Sequence, residues 1–204
     1  VLVPFVPPHF QLLNFVLLLG WAPKDNQELF TLNGFVEHFD EKGFQEANPK
    51  FEDKKLNWFN GYYIRQKSDA QLVQLFKPFL KFEADDESLS KIIPLIKDRV
   101  TTLLDINTLA GFLFTRLETV SGLNKDHVQM ATDQLSKVNW QKEAIENALQ
   151  TEVKNKNWKN SDFFMTLRLA VSGQKITPPM TECMLILGRD EVLARLTAAH
   201  HVAT

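Results

Sequence analysis

Between residues 88 and 105, Leu89, Ile92, Ile93, Ile96, Val100 and Leu103 recur at spacings of three and four, the period of one helix face. The same spacing returns along most of the chain, and no stretch sustains the two-residue alternation of a half-buried strand. The pattern predicts an almost entirely α-helical fold. Pro94 interrupts it and predicts a kink or a break, because its ring removes a backbone N–H and crowds the turn before it.

Capping residues divide the rest. Residues 9–19 read as a helix that stops at Gly20, with Pro23 beyond. Thr31 reads as the N-cap of a second helix that carries Leu32, Phe35, Val36 and Phe39 inward, weakened by Gly34 by roughly 1 kcal/mol relative to alanine. Asp53 is a candidate cap for a helix over 55–65, and Ser68 with Gln71 forms a capping box ahead of Leu72, Leu75 and Phe76. Residues 107–120, 124–138 and 141–153 predict three more helices, followed by a basic, polar loop around Trp158. Ser161 is read as capping a helix that ends at Gly173, and Thr177 with Pro178 as N-cap and first residue of a helix stopping at Gly188. A last helix spans 189–199, leaving His200 and His201 in an exposed tail.

Residues 1–10 are apolar, and Pro4, Pro7 and Pro8 forbid a regular helix there; no basic region precedes them, so they predict neither a signal peptide nor a membrane span. The chain starts without methionine, and the expectation is a fragment of a longer protein. An apolar fraction of 44% over 204 residues suffices for a packed core. A formal charge of -2 excludes indiscriminate nucleic-acid binding, so any such binding is local. The single cysteine, Cys183, excludes an internal disulfide, fits a reducing cytoplasm and reads as packing.

Reaction chemistry is hard to find. The acidic run 83–87 points its carboxylates in different directions and reads as a solvated helix start. No glycine-rich phosphate loop, metal-ligand spacing or nucleophile–histidine–acid pattern is present, so the expectation is no catalytic residue and no metal in this chain. The stretch 55–65, K-L-N-W-F-N-G-Y-Y-I-R, is different in kind. On a helix, Leu56, Phe59 and Tyr63 form an apolar stripe, while Lys55, Trp58, Tyr62 and Arg65 form a basic and aromatic one beside it. Cations contact phosphates and flat rings stack on bases, although an ordinary helix with half-buried rings has the same pattern.

This undecapeptide occurs in order with L-L-N-F-V-L-L-L-G-W-A-P at 12–23 and L-R-L-A-V-S-G at 167–173. Together the three blocks resemble the C-terminal, anticodon-binding half of bacterial-type glutamyl-tRNA synthetases, over nearly the whole chain. The resemblance implies an all-α helical bundle, with 1–67 as the tail of the stem-contact domain and 68–111 and 112–204 as two anticodon-binding subdomains. It implies a parent ligase that joins glutamate to its tRNA, with ATP and Mg bound in a catalytic domain outside this chain, since neither an H-I-G-H nor a K-M-S-K-S type motif occurs here. The implied partners are glutamate-accepting tRNA and the upstream catalytic domain, in a cytoplasmic monomer with no membrane contact.

By local match the resemblance places Arg99 against the third anticodon base, where a guanidinium suits the acceptor edge of cytosine; the bland reading pairs Arg99 with Asp98 or Asp105. It places Arg168, Thr177, Pro178 and Met180 against the first two bases, with Met165 and Pro179 departing from the family pattern. Lys55, Trp58 and Arg65 are implied to meet the tRNA backbone. The competing class is a helical protein-binding scaffold, argued from mild acidity and many phenylalanines.

Overall fold

The computed structural model describes residues 10–45, 50–116 and 120–202, with the side chains of Phe10 and Gln11 left aside. The proline-rich opening and Pro49 lie outside the described residues. Among the described residues the chain forms eleven α-helices and no strand, as the spacing predicts, with a single antiparallel bridge between Trp21 and Phe44. None of these helices is long and apolar enough to cross a membrane.

The helices are α1 Phe10–Gly20, α2 Leu32–His38, α3 Asp53–Arg65, α4 Asp69–Phe76, α5 Asp86–Ile96 and α6 Asp105–Ala110. They continue with α7 Lys125–Leu135, α8 Lys142–Asn155, α9 Asn160–Ser172, α10 Met180–Leu187 and α11 Arg189–Val202. Contacts sort them into two compact units: one built from the chain up to Leu80 with Ile96–Ile106, the other from Lys81–Leu95 with the chain from Asn107 on.

In the first unit α1 packs on α3 through Phe15, Leu56 and Phe59. Asn14 ties this core to its surroundings: its amide donates to Phe30 O at 2.9 Å and to the Tyr63 hydroxyl at 2.6 Å, and its carbonyl accepts from Phe30 N at 3.0 Å. Thr31 caps α2 as expected, its hydroxyl accepting from Gly34 N. The inward face expected of α2 is wrong: Leu32, Val36 and Phe39 are exposed and none of its residues is buried. A helix of seven residues has room for one contact line, and Phe35 supplies it by packing edge-on to Trp21 at 5.2 Å and Phe30 at 6.3 Å.

The capping box at Ser68 and Gln71 is formed, each side chain bonding the other's backbone N–H. The apolar period of 88–105 is not one helix. Pro94 supplies no N–H, α5 stops at Ile96, and a 3-10 turn Lys97–Arg99 follows, which still leaves Val100 and Leu103 buried. Asp53 is the first residue of α3 rather than its cap, and α9 begins before Ser161, at Asn160, with Lys159 as N-cap.

In the second unit α7, α9 and α11 pack on one another, and α8 and α10 complete the bundle. Its core includes Val128, Leu135, Ile145, Leu149, Phe163 and Leu196. Asn124 caps α7 by accepting from His127 N at 3.1 Å. Cys183 is fully buried, as a packing role requires. His200 and His201 belong to the last turn of α11, and His200 is half-buried, so the tail expected there is helix.

Candidate nucleic-acid interface

Within α3 the two expected stripes separate. Leu56 and Phe59 are buried and Tyr63 is half-buried, while Trp58 remains exposed and stacks on Tyr62 at 6.3 Å and 26°. Lys55 is held by Glu28 at 2.8 Å, an exposed pair that any phosphate must displace. Two neighbours matter more than the sequence suggested. A Cβ on Gly61 would lie 3.2 Å from Val100 O, 3.5 Å from Thr101 Cα and 3.1 Å from the Arg65 guanidinium, and Asn60 Nδ2 donates to Thr101 O at 2.6 Å. The N-G pair is therefore where the segment after Arg99 lies against α3.

Arg99 ends the 3-10 turn and its side chain is exposed. Polar anchors fix the backbone around it. Before it, Lys97 Nζ donates to Lys67 O at 2.7 Å and pairs with Asp69 at 2.9 Å. After it, the Asp105 carboxylate accepts from the N–H and hydroxyl groups of both Thr101 and Thr102, at 2.7 to 2.9 Å. Burial pushes the Asp105 carboxyl up, but these four bonds outweigh it and hold the group below its usual value. Asp105 is thus committed to the turn's backbone, and sequence reasoning weighed it only as a counter-ion for Arg99. The backbone of the turn that carries Arg99 is thus held on both sides.

The second candidate cluster lies on α9, α10 and the loop between them. Gly173 ends α9 at φ 70°, donating to Leu169 O at 2.8 Å, a left-handed cap that sends the chain back across the helix end. Ser172 Oγ closes the turn: it donates to Arg168 O at 2.7 Å and accepts from Gln174 N at 3.1 Å. Arg168 Nη1 reaches Lys175 O at 3.4 Å, which brings the arginine onto the loop. Thr177 does not cap α10. That helix starts at Met180 with Pro179 at the N-cap, and Thr177 is 3% exposed with its hydroxyl donating to Pro178 O at 2.9 Å. The second of two consecutive prolines sits at the N-cap with ψ 125° and postpones the helix. Pro178 is buried and Met180 half-buried.

Beneath this cluster Arg195, a residue without any signal of its own in the sequence, is buried and donates Nη1 to Phe112 O at 2.8 Å and to Val171 O at 2.9 Å. Its Nε pairs with Glu191 at 2.7 Å, which also receives Arg116 Nε at 2.8 Å. The end of α9, from which the loop departs, is fixed by this network. Along α9 a cleft of about 450 Å³ is lined by His127, Trp158, Asp162 and the exposed Met165. His127 packs against Trp158 at 4.4 Å and meets Thr166 Oγ1 at 3.2 Å; burial lowers its pKa, against the opposing fields of Asp162 and Asp126.

Among the described residues no group of three or more His, Cys, Asp or Glu side chains is placed to hold a metal ion. The acidic run is a helix start: Asp85 accepts from Ser88 N at 2.7 Å and Glu87 pairs with Lys91.

Residues 71–200 match the family model described as anticodon binding domain. The chain is 33% identical over 190 residues to glutamate–tRNA ligase 1 of Fervidobacterium nodosum, covering 91% of this chain and 40% of that protein. It is 31% identical over 198 residues to glutamate–tRNA ligase of Nitrosomonas europaea, covering 91% and 42%. The crystal structure of a glutamate tRNA ligase from Elizabethkingia meningosepticum, in complex with its amino acid, superposes with a TM-score of 0.78 at 26% identity, over 97% of this chain and 41% of that one. The chain thus spans about two fifths of the length of each of these relatives.

Proposed function

The chain belongs to the anticodon-binding domain family, and from that premise we propose that it reads the anticodon of a glutamate-accepting tRNA on behalf of a glutamate–tRNA ligase. The observation that carries the reading is the setting of Arg99: an exposed arginine, inside the matched region, on a turn whose backbone is anchored on both sides. Anticodon bases are unpaired and expose their Watson–Crick edges, and a planar donor fork matches the acceptor edge of cytosine. Arg99 reads the third base in this account. Arg168 and the backbone and apolar surface of Thr177, Pro178 and Met180 meet the first two, with Thr177 shaping the loop from inside.

Lys55, Trp58 and Arg65 contact the tRNA backbone, positioning it without specifying it. Residues 1–67 serve the stem, and 68–111 and 112–204 the anticodon, a division by what touches RNA rather than by internal contacts. The parent protein ligates glutamate to tRNA in the cytoplasm as a monomer, using ATP and Mg held by a catalytic domain upstream. This chain supplies binding energy and discrimination to that reaction.

The test is binding of glutamate tRNA transcripts, with an unrelated tRNA as control, at low and moderate salt. Preference for the glutamate tRNA is expected, with affinity falling as salt rises. Equal binding to both, or binding to neither, favours the helical protein-binding scaffold, for which the exposed Leu32, Val36, Phe39 and Phe44 are the argument.

A further inference from the structure

The basic, polar loop around Trp158 has no part in the reading above, yet it walls the cleft of about 450 Å³ that runs along α9. The end of α8 fixes its position. Asn157, at φ 53°, is the left-handed residue of a Schellman cap: Asn157 N donates to Lys154 O and Trp158 N to Val153 O, both at 3.0 Å. The cap sets the half-buried Trp158 against His127 and leaves Lys154, Lys156 and Lys159 exposed. Lys156 Nζ lies 5.2 Å from the centre of the indole ring, and Lys159 lines the cleft. An aromatic wall with ammonium groups at its rim suits a nucleotide, with the base against the rings and the phosphate against the lysines.

The interior of the cleft offers acceptors. The Thr166 hydroxyl donates to Asp162 O at 2.9 Å, so toward His127 Nδ1, at 3.2 Å, it accepts. With its pKa lowered by burial, the ring is neutral at pH 7 and carries its proton on Nδ1, which leaves a lone pair on Nε2. The Asp162 carboxylate lines the same cleft and its side chain is 63% exposed. A carboxylate on a surface that meets phosphates repels them, so it needs a compensating contact. Asp162 precedes Arg168 on α9 by a helical rise of about 9 Å, within reach of the next nucleotide of an extended strand. Met165 and Leu169 carry the cleft along that interval.

We infer that this cleft holds the nucleotide on the 5′ side of the anticodon, its base donating an N–H to Asp162 and its phosphate lying against Lys156 and Lys159. The inference rests on the anticodon reading, in which Arg168 meets the first two bases, and adds to it a nucleotide outside the triplet and four residues that the resemblance left unassigned: His127, Lys156, Trp158 and Lys159, with Asp162 as the group that reads the base. His127 Nε2 supplies the second acceptor.

The test is titration of the glutamate anticodon stem-loop, unmodified, abasic at the nucleotide 5′ of the anticodon, or methylated there so that the base keeps no N–H. Either modification should weaken binding to the parent chain about tenfold. Asp162→Ala removes a negative charge, which on charge grounds alone strengthens binding to RNA; it should instead bind the unmodified stem-loop about fivefold more weakly, and the abasic one no more weakly than the parent does. Lys156→Ala combined with Lys159→Ala should weaken binding to all three stem-loops alike and lower the salt slope by roughly one. An Asp162→Ala protein that binds the unmodified stem-loop as tightly as the parent, or that loses the same factor on the abasic one, overturns the inference, as does a parent indifferent to both modifications. Exchange of the anticodon triplet with the flanking nucleotide kept is the separate control: if the parent ignores it, the anticodon reading fails and the inference falls with it.

Discussion

Arg195→Met should be among the most damaging substitutions in the second unit. The arginine is 7% exposed and its guanidinium caps two buried carbonyls, Phe112 O at 2.8 Å and Val171 O at 2.9 Å, while pairing with Glu191 at 2.7 Å. Methionine fills most of the aliphatic volume but donates nothing. Each bond from a charged donor contributes about 1.5–3 kcal/mol, and Glu191 keeps its second partner, Arg116, so it is not stranded. Over the two carbonyl bonds the sum is about 3–6 kcal/mol, a fall in melting temperature of roughly 10–15 °C at mid-range. Arg116→Met is the control. It removes the same carboxylate's exposed partner and should leave the melting temperature nearly unchanged. Thermal unfolding followed by circular dichroism measures both. A fall below about 3 °C for Arg195→Met, or equal falls for the two variants, would refute the capping argument.

Gly61→Ala improves helix propensity by about 1 kcal/mol yet places a Cβ 3.2 Å from Val100 O, so the melting temperature should fall by a few degrees instead of rising; a rise would contradict the close contact. Lys55→Ala should weaken binding to every tRNA alike and lower the salt slope by roughly one, whereas Glu28→Gln, which releases Lys55, should strengthen binding about twofold or more at low salt. A base-selective effect at Lys55 would contradict both. The hydrogen bond from Arg116, opposed by burial and reinforced by Arg195, holds the Glu191 carboxyl at about 2, below its ordinary 4.5. A folded value below the unfolded one stabilises fully above about pH 5 and is lost as pH falls from 4.5 through 2. The carboxylate is partly exposed, so the loss is about 1–2 kcal/mol; Glu191→Gln should flatten the acid limb of the stability profile, and an unchanged limb would contradict the pairing.

What the chain reveals before folding is what depends on neighbours within a few residues. The helical character of the chain, the Ser68–Gln71 box and the Thr31 cap are local and stand as read, whereas the helix read over 107–120 gives way after α6, at Ala110, to a 3-10 turn Gly111–Leu113. The contact line of α2 is not local, because Trp21 and Phe30 decide it. Thr177 followed by proline is a strong local signal, and a second proline overrides it. The anchors around Arg99 escape the sequence because their partners lie far off: Lys97 meets Lys67 and Asp69, and Asn60 meets Thr101. One trace of them was visible, since Asn60 and Gly61, a polar residue and a small one, sit in the buried part of α3 beside Leu56, Phe59 and Ile64. Arg195 left no such trace, being one arginine among ordinary surface residues of a last helix.

Arg99 is the residue on which the account turns, and its exchange for glutamine is the direct measurement. Stem-loops that differ only in having cytosine or guanine at the third anticodon position are titrated against the parent chain and Arg99→Gln, with melting temperatures recorded for both proteins. The parent should prefer cytosine by about tenfold or more, and the variant should lose that preference at an unchanged melting temperature. A variant that still prefers cytosine over guanine by the parent's margin would show that the third base is read elsewhere.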